Sequence, residues 1–167
     1  MIKQILATMA LVAIAALPAP ARALPLIDIG LGAGVVMKGS DHALALSAGI
    51  HVPLGFLFGA EASYTRTLTD GSVDRDTGSV DYSGSLLGGF VTLTSPSPGI
   101  KLRGKLGLQR ASFDLDDDAD GGRFSSIEPA LGVGVLGRNW QLELTRSRID
   151  DRKLDQGITS LSLQYVW

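Results

Sequence analysis

The sequence predicts an all-β protein: eight antiparallel strands closed into an up-and-down barrel that crosses a membrane. Three observations carry this. From residue 27 onward apolar side chains recur at every second position, segment after segment, with no helical period. The positions between them hold mostly Gly, Ala and Ser, not the Lys- and Glu-rich set expected of a face in water. The chain also ends on LSLQYVW, an alternating apolar stretch with a terminal aromatic, where chain ends usually fray into solvent.

The first 23 residues stand apart from this pattern. Lys3 gives a short positive start, Ile5 to Leu17 an apolar run, and Ala21-Arg22-Ala23 a small-x-small cleavage site after Pro18 and Pro20. That is the layout of a secretory signal peptide, and the run falls short of the ~20 residues a membrane-spanning helix needs. Removing residues 1–23 takes away two cations and no acid, moving the formal charge from -2 to -4. The exported barrel is then residues 24–167. With 167 residues there is room for one domain. Without cysteine there is no disulfide framework, and without a basic excess there is no electrostatic footprint for nucleic acid.

The strands follow in order. Ile27, Ile29, Leu31, Ala33, Val35 and Met37 share one face of the first, and KGSD (38–41) turns the chain. The second sets Leu44, Leu46, Ala48, Ile50 and Val52 against Ala43, Ala45, Ser47, Gly49 and His51, ending at Pro53-Leu54-Gly55. The third sets Phe56, Phe58, Ala60, Ala62 and Tyr64 against Gly59, Glu61, Ser63 and Thr65. The polar stretch 69–79 repeats GSVD at its borders, by chance or as the tip of a continued hairpin. In the fourth, Val80, Tyr82, Leu86 and Phe90 are expected on the apolar face, before the turn TSPSPG (94–99). The fifth alternates Ile100, Leu102, Leu106 and Leu108 with Lys101, Arg103, Lys105, Gly107 and Gln109. After the acidic stretch 114–122, the sixth carries Ile127, Leu131, Val133 and Val135. The seventh carries Trp140, Leu142 and Leu144, and the eighth is the tail.

Two barrels share this pattern, one with its apolar face inside and one with it in lipid. Small residues on the second face suit the crowded lumen of an eight-stranded barrel. The charges on that face nearly cancel: Glu61, Glu128 and Glu143 against Lys101, Arg103 and Lys105. Opposite charges in a low-dielectric interior are expected to pair, and ion conduction is their alternative use. Phe56, Phe58, Phe90, Trp140, Tyr165 and Trp167 sit toward the short turns, with Tyr64 and Tyr82 toward the long loops, as aromatic girdles do.

With those residues in view, the chain resembles the small eight-stranded outer-membrane proteins, the OmpA barrel domain and the OmpX type. Leu161, Leu163, Tyr165 and Trp167 are similar to the C-terminal signal of that family. The resemblance implies recognition by the barrel assembly machinery, a monomer, and residence in the outer membrane of a Gram-negative bacterium. Partners are then outer-membrane lipids and lipopolysaccharide, with a structural or interaction role at the outer leaflet.

Candidates for chemistry are few. An outer-membrane enzyme acting on lipid A or peptides is the alternative, and a soluble periplasmic ligand-binding barrel a third reading. The His-x-Ser pair of barrel deacylases is missing around His42 and His51, and Ser40-Asp41-His42 are too close in sequence to form a relay. No catalytic residue is expected. Asp116, Asp118 and Asp120 match half of a calcium loop, so Ca2+ at 114–122 is the one metal considered, and no other cofactor is expected. Arg66 and Arg110 fall on the lipid face ten residues above Phe56 and Ile100, roughly 25 Å higher, where a charge costs about 0–1 kcal/mol. They are candidates for lipopolysaccharide phosphate. Arg146, about 15 Å above Trp140 on the same rise, is expected either to snorkel or to turn inward.

Overall fold

The computed structural model describes residues 27–38, 41–75, 78–116, 123–148 and 157–167; the proposed signal segment 1–23 lies outside them. The strands are β1 (Asp28–Lys38), β2 (Asp41–Pro53), β3 (Phe58–Thr67), β4 (Gly71–Arg75), β5 (Gly78–Thr94), β6 (Lys101–Asp116), β7 (Arg123–Leu136), β8 (Trp140–Ser147) and β9 (Ile158–Val166). Both β3 and β4 pair with β5, so they are two parts of one stave. Eight antiparallel staves result, and the β3–β5 pairing closes the ring. The repeated GSVD is the tip of the continued hairpin: Gly71 faces Tyr82, Val73 faces Val80 and Arg75 faces Gly78. The tail is the closing strand, pairing with β1 from Gly30↔Val166 to Lys38↔Ile158 and with β8 on its other edge. Reciprocal backbone hydrogen bonds between Ile29 and Trp167 extend that seam by one residue.

The register fixes the tilt. Stepping once around from Lys38 through Ile158, Ser147, Ala130, Gly107, Phe90, Glu61 and His51 leads back to Asp28, ten residues down the starting strand. Eight strands with that stagger tilt by about 40°. Each residue then climbs about 2.4 Å along the barrel axis, and each step in that direction drops about 3 Å. Height in the barrel is therefore set by strand and residue number together.

The alternation resolves into an apolar outside and a packed inside. Leu102, Leu106, Leu108, Ile127, Leu131 and Val133 each leave more than half of their surface exposed. Inside, the half toward the long loops holds an apolar cluster of Val36, Ala43, Ala45, Tyr82, Leu86, Ala111, Phe113 and Ile158. The other half is polar.

Two aromatics expected on the outer face are inside. Tyr82 is 3% exposed and Phe90 4% exposed, and Leu86 is buried between them. Leu86-Leu87 is an apolar doublet that leaves the period of β5 ambiguous, and Leu87 takes the outward place. The signal lies across the sheet, where each inward ring faces a glycine: Tyr82 opposite Gly71, Phe113 opposite Gly84 and Phe90 opposite Gly107. A Cβ on Gly71 or Gly84 would enter the facing ring, and one on Gly107 would meet the Gly89 carbonyl and Phe90 Cα. Outward Gly104 has nothing within 4 Å of that position. Accordingly, Gly107→Val is expected to lower stability by about 1–3 kcal/mol, whereas Gly104→Ala changes it by less than about 0.5 kcal/mol. Urea unfolding of the two variants in lipid vesicles checks the contrast.

Candidate functional site

Charged side chains gather at three places. The first is the buried middle of the polar half. Glu61 on β3, Arg103 and Lys105 on β6 and Glu143 on β8 are each no more than 7% exposed. Lys105 Nζ donates to Glu61 Oε1 at 2.8 Å and also to Glu143 Oε1. It stands 4.1 Å from the centre of the Phe90 ring. Arg103 Nη1 donates to Gln141 Oε1 at 3.1 Å and lies 3.6 Å from Glu61 Oε2. Gln141 Nε2 and Thr145 Oγ1 donate to the Glu143 carboxylate at 2.7 and 3.2 Å. Two acids and two bases cancel, so the cluster is neutral; each carboxylate accepts at least one hydrogen bond, and Glu61 Oε2 is held by its ion pair to Arg103 alone.

Of the six inward charges singled out in the sequence, these four meet and two do not. By the climb and drop per residue and strand, Glu61, Lys105 and Glu143 fall within about 3 Å of one height. Glu128 stands about 12 Å above them on the same scale; it is half-buried opposite Gln109, and no ion pair joins it to the cluster. Lys101 lies below, exposed at the short-turn rim.

The second place is that rim. His51 Nδ1 is 3.2 Å from Asp28 Oδ2, and its Nε2 is 3.0 Å from Thr92 Oγ1. Arg103 Nη2 lies 3.4 Å from the same Nδ1. Gly59 makes the contact possible, since a Cβ there would collide with both the His51 ring and Thr92 Oγ1. His51 ends its strand beside the short turn at Pro53, facing Asp28 across the first hairpin, while Thr92 reaches it from β5. The order acid, imidazole, hydroxyl is that of a nucleophile relay. Thr92, however, is 1% exposed, so a substrate cannot reach its oxygen. The chain Asp28–His51–Thr92 ties three strands together at the mouth.

The third place is outside. Arg66, Arg110 and Arg146 are all exposed, and β8 alternates strictly, so Arg146 points outward with Trp140, Leu142 and Leu144. The stagger makes its height equivalent to that of the other two: Trp140 sits about 7 Å higher than Phe56, and the three arginines fall within about 4 Å of one level. They occupy alternate staves, β3, β6 and β8. Arg110 Nε donates to Ser125 Oγ at 3.0 Å. Arg148, just past β8, is exposed near the same level.

At the tail, Leu161 and Leu163 face outward, and the Tyr165 and Trp167 rings meet edge to face with centroids 5.1 Å apart. No group of three His, Cys, Asp or Glu side chains able to hold a metal occurs among the described residues. Asp118 and Asp120 of the calcium candidate lie outside them, and Asp116 ends β6.

Among solved structures, the chain is similar to the N-terminal β-barrel domain of Pseudomonas aeruginosa OprF. The identity is 14%, the TM-score 0.58, and 84% of this chain and 97% of that one are covered. It is also similar to Neisserial surface protein A, at 17% identity and a TM-score of 0.53, covering 84% and 94%. The Yersinia pestis attachment invasion locus protein Ail, crystallised with the heparin analogue sucrose octasulfate, is 14% identical with a TM-score of 0.49, covering 85% and 97%. No protein-family model matches the sequence, and no curated protein matches it. The fold is that of the small eight-stranded outer-membrane barrels.

Proposed function

We propose that this is an integral outer-membrane barrel of a Gram-negative bacterium, exported by residues 1–23, whose lumen is closed by its own side chains. Its role is structural and interactive at the outer leaflet, through lipopolysaccharide. The observation that carries the reading is the combination of an apolar outer surface with a neutral ion cluster sealed inside. An exposed apolar belt around a whole barrel has no place in water. The short turns then face the periplasm and the long connections the exterior. Ion conduction is disfavoured because Glu61, Arg103, Lys105 and Glu143 bond one another across the lumen. The tail with Leu161, Leu163, Tyr165 and Trp167 serves as the segment read by the barrel assembly machinery, and the barrel works as a monomer. The acidic stretch 114–122 needs no ion for this role, and calorimetric titration with calcium tests that point.

Arg66 and Arg110, joined by Arg146, form a level of cations over half of the barrel about 24 Å above Phe56. That spacing suits the phosphates of the outer leaflet, which guanidinium groups grip in bidentate fashion. Heat-modifiable migration of outer-membrane fractions tests the location. Replacing Arg66 and Arg110 together by Ser is expected to lower lipopolysaccharide co-purification severalfold without loss of that migration shift; unchanged retention sinks the lipopolysaccharide role. Under the enzyme reading, deletion of the gene would alter the lipid A profile, and the buried Thr92 argues against such a change.

A further inference from the structure

The polar half of the lumen opens at the short-turn end into a vestibule of about 330 Å³, lined in part by Asp28, His51, Lys101, Arg103, Arg138 and Trp140. That volume lies at the lower bound of small-ligand pockets, which run from about 300 to 1,000 Å³. The charges of this cavity do not cancel. Arg103, its floor, is engaged by Glu61 and Gln141 inside the neutral cluster. Asp28 is engaged by His51. Lys101 and Arg138 are exposed at the rim, and neither makes an ion pair among the described residues. They are neighbours: Lys101 pairs with Leu136, two residues before Arg138. Two cations lining one concave vestibule, with the Trp140 ring at its outer edge beside Gly137, form a host for a doubly charged anion, and they stand at the opposite end from Asp70, Asp81 and Asp114.

We propose that this vestibule binds a phosphate monoester from the periplasmic side, with Lys101 and Arg138 gripping the phosphate and Trp140 bordering the group that carries it. The side assignment rests on the membrane orientation given under Proposed function; the binding itself does not. Lys101 and Arg138 outnumber the one carboxylate of the cavity, Asp28, which His51 already engages, so both cations can grip a dianionic phosphate at once, with Arg138 adding bidentate geometry. The source is either a soluble phosphate ester or the headgroup of a lipid such as phosphatidic acid.

The test is isothermal titration of the purified full chain in an uncharged detergent at low salt, with glycerol 3-phosphate as the probe. A second arm measures phosphatidic acid retained by the barrel in nanodiscs. Saturable binding is expected, weakened about tenfold or more in the double variant Lys101→Gln, Arg138→Gln, since both charge-assisted contacts to the phosphate are lost from a solvent-facing rim. Both side chains are exposed, so the variant keeps its heat-modifiable shift, which is read in parallel as the check on the membrane-barrel reading. Phosphate held at the outward arginines is insensitive to this variant. Binding of glycerol 3-phosphate supports a soluble ligand, and variant-sensitive retention of phosphatidic acid alone supports a lipid source. Absence of both, or equal affinity in wild type and variant, overturns the proposal.

Discussion

Replacing Lys105 by methionine is expected to lower the unfolding free energy by about 3–5 kcal/mol, the range for breaking a buried ion pair. One ammonium holds two carboxylates, Glu61 and Glu143, that reach it from β3 and β8, and its charge also rests on the Phe90 ring. Without it the two acids remain buried with a single cation, Arg103, whose distance to Glu61 Oε2 is 3.6 Å. The penalty is that of an unpaired buried carboxylate more than the net worth of the pair, so removing the acid as well should restore much of the loss. The double variant Lys105→Met, Glu143→Gln is therefore expected to be more stable than Lys105→Met alone. Urea titration in lipid vesicles, read as a double-mutant cycle, measures this coupling. A Lys105→Met cost below about 1 kcal/mol, the range of exposed pairs, would mean that water reaches the cluster.

The strands, their closure and the outer face were legible because a period of two is written directly in residue types. Side-chain meetings were legible only in part, because they depend on stagger. Glu61, Lys105 and Glu143 meet since three separate offsets cancel, while Glu128, of the same parity and charge, ends too high on β7. Arg146 illustrates the same point from outside: counted along its own strand it stops short of Arg66 and Arg110, and the stagger lifts β8 to their level. Tyr82 and Phe90 were misplaced for a different reason. An apolar residue in this barrel can face lipid or fill the upper lumen, and hydropathy cannot separate those. The facing glycines can, since Gly71, Gly84 and Gly107 leave the room that an inward ring occupies. His51 was the least legible. Asp28 is its cross-strand partner in the first hairpin, but Thr92 sits on β5, two strands away beyond β3, and that meeting depends on where the two inward side chains fall in the register.

The sidedness of the barrel yields the other large effect. Leu106 is outward, pairs with Val91 and Leu131, both exposed and apolar, and lies near mid-height of the outer band. Leu106→Arg is expected to cost about 2–4 kcal/mol in a bilayer, the penalty for an arginine at the lipid midplane. Ile127 is outward on β7, about 13 Å higher by the same climb and drop, and at the interface Ile127→Arg should cost only about 0–1 kcal/mol. Unfolding both variants in vesicles of one composition measures the difference, and its depth dependence is the informative quantity. In a water-soluble barrel both positions would face solvent, and exposed substitutions there stay within about 0.5 kcal/mol. A midplane penalty absent at Ile127 thus reports lipid around Leu106. It also supports the interfacial placement of Arg66, Arg110 and Arg146, because the same gradient that penalises an arginine at mid-height tolerates one at their level.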